Sequence, residues 1–283
     1  MLRTYPHWFY LPAAIVFGIF FLVPTALSFY FSLTRWTLFN ATFIGLDNYV
    51  AFLGDPMLMS GLRNTIIYAV ITSGLKVIIA LPLAMLLTSS LRLKTLMRSI
   101  IFVPVLVSTV AVGITFSALM QPSTGLINLA LGALGLPQPD WLGNPQLALF
   151  SVALVDVWKG LGLATVIFMA GILSIPVEFF EAAQLEGGTW VKFRHVIIPL
   201  ARNATFTVIL LSFIGGLRSF DLIWTMTHGG PGFASDVLTS VIYKEYQAGF
   251  YGLSTAGNVV LFVLVTIIAY PMMRFFNHME LEL

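Results

Sequence analysis

Five ionisable residues interrupt long apolar runs: Lys76, Asp156, Lys159, Arg218 and Asp221. A charge at the centre of a bilayer costs about 2.5–3.5 kcal/mol on insertion scales, so each must face protein or water rather than lipid. Asp156 and Lys159 stand three residues apart, the spacing of an ion pair along one helix, and Arg218 and Asp221 repeat it as a mutually neutralising pair. Lys76 has no partner within helical reach. Asp156, Lys159, Gly160 and Leu163 fall on one helix face; Ser212, Gly215, Gly216 and Ser219, at i, i+3, i+4 and i+7, fall on another. Small, weakly polar faces of this kind either pack closely against a neighbour or line a cavity. As cavity walls they would offer hydroxyl, ammonium and carboxylate groups to a polyhydroxyl solute, with Trp158 or Phe220 as an aromatic wall. Bond-making chemistry is not legible. There is no cysteine, the four histidines are scattered, and neither H-E-x-x-H nor G-x-S-x-G occurs, so no catalytic and no metal site is expected.

The elements that must position these residues follow from composition. Of 283 residues 58% are hydrophobic and 9% charged, with a mean hydropathy of +0.94, whereas a soluble domain carries about 25% charge. A net charge of +2 leaves no basic surface for nucleic acid. A hydrocarbon core about 30 Å thick is crossed by about 20 apolar helical residues. Runs near 9–33, 62–89, 97–120, 147–173, 203–227 and 253–276 meet that length, which predicts an all-α membrane protein of six transmembrane helices. The first run is longer than the roughly 7–15 residues of a secretory h-region and is read as a retained anchor. Alternating ten-residue strands are absent, which excludes a β-barrel. Pro24, Pro82, Pro104 and Pro271 lie in or near the ends of these runs, where a proline breaks one backbone bond. With the N-terminus inside, the inner segments hold Arg3, Arg92, Lys94, Arg98, Lys192, Arg194, Arg202 and Arg274 against Arg35, Arg63 and Lys244 outside. That excess of inner cations places both termini in the cytoplasm. The remaining connectors carry turn signals, among them Gly45–Asn48, Gln121–Gly125, Pro137–Asp140 and His228–Gly232, and no soluble domain.

One inner segment, Ser174–Arg202, is neither short nor simply basic. Pro176 suits a first helical turn, Glu178 and Glu181 complement the positive N-terminal end of the helix dipole, and Gly187-Gly188 supply a stop. A helix of about twelve residues is about 18 Å long at 1.5 Å per residue, too short to span, and lies at the cytoplasmic surface. An interfacial lipid binder carries Lys and Arg on its polar face; this helix carries Glu. Ala182 and Ala183 leave room for another backbone to come close.

Glu181-Ala182-Ala183, then Gly187, with Ile197 and a proline closing the stretch, resembles the EAA motif of permease subunits of binding-protein-dependent ABC importers. The flanking run Val157–Pro176 and the downstream His228-Gly-Gly-Pro-Gly232 resemble carbohydrate permeases of the maltose and glycerol-phosphate type, over nearly the whole chain. One spacing departs from that pattern: a residue is missing between Gly187 and Phe193. The resemblance implies a type I ABC importer permease core over residues 62–283, with the coupling loop at 174–202, preceded by an N-terminal segment, 1–61, whose helix wraps a partner. It implies ATPase-coupling residues Glu178, Glu181, Ala182, Ala183 and Gly187, and a solute passage along Asp156, Lys159, Gly160, Leu163, Ser212, Gly215, Gly216 and Ser219. It implies as partners a cytoplasmic ABC ATPase dimer, a second permease that is a different chain, an extracytoplasmic solute-binding protein and membrane lipid, in a bacterial or archaeal cytoplasmic membrane.

G-x-x-x-x-G-K-[ST], the phosphate-cradling loop, is absent. ATP and Mg are therefore expected on the partner ATPase, with no cofactor on this chain and no enzymatic activity of its own. A self-sufficient secondary transporter is the competing reading, but inverted repeats are not evident and it leaves the acidic loop unexplained.

Overall fold

Apolar runs become helices because a backbone in hydrocarbon must close its own hydrogen bonds. The computed structural model describes residues 7–37, 39–89 and 92–279; Arg3, counted above among the inner cations, lies outside them. In chain order come α1 (Trp8–Ser32), a hairpin of β1 (Thr34–Trp36) and β2 (Ala41–Phe43), α2 (Asp47–Gly54) and α3 (Pro56–Thr88). Next are α4 (Lys94–Leu106), α5 (Thr109–Leu119), α6 (Leu126–Ala133), α7 (Ala148–Leu173) and α8 (Val177–Glu186). The chain continues through α9 (Gly188–Leu200), α10 (Arg202–Leu217), α11 (Asp221–Thr227), α12 (Leu238–Gln247) and α13 (Tyr251–Met279).

Among the described residues four helices, α1, α3, α7 and α13, are long and apolar enough to cross a membrane, and two bent pairs bring the number to six if each pair is one span. Two expected spans are therefore not straight. The run at 97–120 is α4 and α5 meeting at 99°. Pro104 stands in the last turn of α4, and Val107 and Ser108 then take extended backbone, with ψ of 139° and 135°. The fifth span begins earlier and ends sooner than expected: α9 and α10 meet at 66°, and the helix stops at Leu217. Pro82 and Pro271, by contrast, sit inside continuous helices.

The contacts divide the chain into two units. One joins the described residues up to Met59 with Val241–Leu264; the other joins Ser60–Ser240 with the described part of Val265–Leu283. In the first unit β1 and β2 pair antiparallel with Arg35 opposite Thr42. The buried Asn48 amide donates to the Ser32 and Thr34 carbonyls, at 2.8 Å each. Gly252 is required here, because any Cβ would meet the Thr34 carbonyl. None of the most apolar stretch of α1 is buried by the chain itself.

In the second unit α7 is the central helix, with half of its apolar stretch buried. Gly162 admits α4, since a Cβ would stand 2.5 Å from the Ile101 carbonyl, and Gly171 admits α10 at Ala204. One apolar cluster centres on Phe168, Leu87 and Val208, another on Tyr68, Val152 and Ile223. Between helices in lipid the gain comes from close packing rather than from leaving water, so these glycine contacts set the helix spacing.

Candidate functional site

Two places in the second unit carry the residues singled out by sequence. The first is a cleft of about 170 Å³ between α3, α7 and α10. Lys76 of α3 reaches Asp156 of α7, Nζ to Oδ2 at 2.9 Å, with the two side chains 10% and 22% exposed. Lys76 lies directly over Gly160, where an added Cβ would stand 2.6 Å from its Cε. The partner of Asp156 is therefore Lys76, eighty residues away, and not Lys159 three residues on. Lys76 approaches over Gly160, and Lys159, about 100° round the helix from Gly160 on the other side of Asp156, does not line the cleft; it is half-buried and has no partner among the described residues.

Gly160 and Leu163 do line the cleft, as do Ser212 and Gly215 of α10. The four-residue face on α10 nevertheless divides. Gly215 opens on space, whereas Gly216 is buried against α3, where a Cβ would meet the Ala69 Cα at 2.6 Å. Ser219 leaves the helix altogether, and its carbonyl accepts a hydrogen bond from the Thr239 hydroxyl. Most span hydroxyls bond back to a carbonyl one turn earlier, as Thr72 does to Tyr68 and Thr165 to Leu161; the Ser212 hydroxyl makes no hydrogen bond among the described residues. Tyr68, fully buried, brings its hydroxyl near Ser219 and Asp156 without closing a geometrically sound hydrogen bond.

The expected Arg218–Asp221 pair does not form. Arg218 caps the end of α10 and Asp221 opens α11, so the two no longer share a helix. Neither Trp158 nor Phe220 lines the cleft: Trp158 packs on Phe116 with ring centres 5.1 Å apart, and Phe220 stacks on Trp224 at 5.6 Å.

The second place is the loop that follows α7. Pro176 caps α8, which runs for ten residues, two fewer than expected. Gly188, at φ +75°, takes the left-handed turn that ends it, and Gly187 makes room for Val191, whose Cγ2 would stand 2.5 Å from a Cβ. Glu178, Glu181 and Ala182 are exposed, whereas Ala183 is 5% exposed and packs with Ile172, Ile175, Val196 and Ile197. The alanine pair thus splits between an outer and an inner surface. Leu185 stands 91% exposed at the end of the same helix. Beyond Val191 the backbone widens into a π turn over Lys192–Ile197, which nothing in the local sequence announced.

A further arrangement escaped sequence reading. The stretch that follows His228-Gly-Gly-Pro-Gly232 is fastened to α3, where the Asn64 amide donates to the Ala234 and Asp236 carbonyls and Thr65 accepts from the Leu238 N–H at 2.7 Å. His228 and Phe233 adopt positive φ of 51° and 74°. The cluster of glycines was the available signal for such a turn; its anchor, about 170 residues upstream, was not.

Comparison with known proteins is consistent across sequence and fold. Residues 76–278 match the family described as binding-protein-dependent transport system inner membrane component. The chain is 33% identical to the probable ABC transporter permease protein YurN of Bacillus subtilis, over 97% of each chain. It is 31% identical to the trehalose/maltose transport system permease protein MalF of Thermococcus litoralis, over 90% of this chain and 88% of that one. In fold it is similar to a chain of a bacterial ABC transporter involved in the import of the acidic polysaccharide alginate. That match has a TM-score of 0.80 at 22% identity, covering 95% of this chain and 93% of the other.

Proposed function

We propose that this chain, which belongs to the family of binding-protein-dependent transport system inner membrane components, is the permease subunit of an ATP-driven importer for a carbohydrate or a related polyol or glycerol phosphate. It is a multi-pass protein of the inner membrane, and we take both termini to be cytoplasmic. The observation that carries the reading is α8: a short acidic helix, exposed along Glu178, Glu181 and Ala182 and seated on the core through Ala183. It directly follows the helix that carries Asp156, Gly160 and Leu163 of the cleft.

In this reading an ABC ATPase dimer receives α8 through Glu178, Glu181, Ala182 and Gly187, with Ala183 holding the helix in place. Closure of that dimer on ATP shifts α8, and through it α7, so that the cleft opens alternately to the two sides. ATP and Mg belong to the ATPase. A solute-binding protein outside the membrane delivers the solute. A second permease, a different chain, completes the passage and covers α1, with residues 62–283 as the transport core. Solute would meet Asp156, Gly160, Leu163, Ser212 and Gly215; Gly216 serves packing, and Lys159 and Ser219 stand outside the cleft.

Affinity purification of the tagged chain from its native host in mild detergent tests the assignment. An ATPase and a second permease should accompany it. Glu181→Lys combined with Gly187→Pro should lose the ATPase and all uptake while membrane insertion persists. Normal uptake by that double variant would sink the coupling role. A chain that arrives alone and drives ion-coupled uptake in liposomes is a secondary transporter instead.

A further inference from the structure

We propose that the Lys76–Asp156 pair sets the cleft for an uncharged polyhydroxyl solute, with Asp156 as the residue that keeps anions out. The inference rests on the passage assignment made above. Family membership leaves solute charge open, since one relative is named for the neutral sugars trehalose and maltose and a structural neighbour for an acidic polysaccharide. The geometry of this chain bears on that question directly.

Lys76 brings a cation to the cleft wall, and its ammonium is already neutralised at 2.9 Å by Asp156. The lysine end lies over Gly160, the position on α7 without a side chain to displace it. Among the described residues no other Lys, Arg or His lines the cleft, and Lys159, on the same helix, stands outside it. An anion entering here would have to draw Lys76 from its carboxylate or lie beside that carboxylate, and either leaves an uncompensated charge at membrane depth. A sugar hydroxyl meets no such conflict. It can donate to the Asp156 oxygen that Lys76 does not use, pair with the free Ser212 hydroxyl, and rest its ring on Leu163. The pair also spares the membrane a lone charge when the cleft holds no solute.

The test is uptake by native-host cells carrying the complete importer, compared with the same cells lacking its ATPase. Labelled trehalose, maltose and an arabino-oligosaccharide serve as neutral probes, glycerol 3-phosphate and an oligouronate as anionic ones. ATPase-dependent uptake confined to neutral probes is expected, and ATPase-dependent uptake of an anionic probe overturns the proposal. Uptake that is unchanged without the ATPase overturns the importer assignment instead. Two variants separate charge from architecture. Asp156→Asn, which strands the Lys76 ammonium, should lower neutral uptake about tenfold or more and make the remainder sensitive to external phosphate. Lys76→Met with Asp156→Asn should restore uptake to within about threefold of wild type and remove the phosphate sensitivity. Wild-type uptake by Asp156→Asn, or residual uptake that ignores phosphate, assigns the pair to structure alone and overturns the proposal.

Discussion

Two adjacent glycines on α10 separate packing from passage. Gly216→Ala places a Cβ 2.6 Å from the Ala69 Cα on α3 and 3.0 Å from the Thr72 hydroxyl oxygen. Because the nearest atom is backbone, no rotamer relieves the contact. Ordinary contact begins near 3.4 Å, so the two helices must part by about 0.8 Å. The same interface holds the Ser73 hydroxyl on the Ile209 carbonyl at 3.3 Å, and that separation takes it past hydrogen-bonding range. Overpacking costs about 1–3 kcal/mol and the lost hydrogen bond about 1, against about 1 kcal/mol gained by replacing glycine in a helix. The net expectation is a loss of about 1–3 kcal/mol. Gly215→Ala meets nothing within 4 Å and keeps the helix gain. Thermal unfolding of the purified importer in detergent checks both: Gly216→Ala lowers the midpoint, Gly216→Val lowers it further, and Gly215→Ala does not lower it. Equal midpoints for the Gly216 and Gly215 variants would refute the division of this face.

The alanines of α8 predict a similar contrast at the surface. Ala183→Leu overpacks the loop core and costs about 1–3 kcal/mol in unfolding experiments, whereas exposed Ala182→Leu leaves the midpoint unchanged and loses the ATPase in co-purification. In the first unit, burial and the neighbouring Asp55 carboxylate hold Glu245 above its usual 4.5. The folded unit therefore binds that proton more tightly than the unfolded chain, and stability falls as pH rises from 4.5 through the raised value. Glu245→Gln should flatten this slope in midpoints measured across pH about 4 to 8; an unchanged slope places its origin elsewhere.

What sequence alone determined was local. Helices of spanning length follow from apolar runs whose backbone must satisfy itself, and the acidic α8 follows from Pro176, Glu178, Glu181 and Gly187-Gly188, all within one short segment. The motif around Glu181 and Gly187 was legible for the same reason. What tertiary structure decided was every relation between distant segments. The nearest cation in sequence to Asp156 is Lys159, yet Lys76 holds it, because α3 approaches over Gly160, on the opposite side of Asp156 from Lys159. Ser212, Gly215, Gly216 and Ser219 share a face only on an unbroken helix. The end of α10 at Leu217 removes Ser219, and the approach of α3 takes Gly216 into packing. The 99° bend between α4 and α5 has a proline nearby, but the partners of its two arms, α7 for α4 and α11 for α5, come from later in the chain. Hydropathy counts how much of a helix is apolar; which side of it meets another helix, and which meets a cleft, is fixed only when the helices come together.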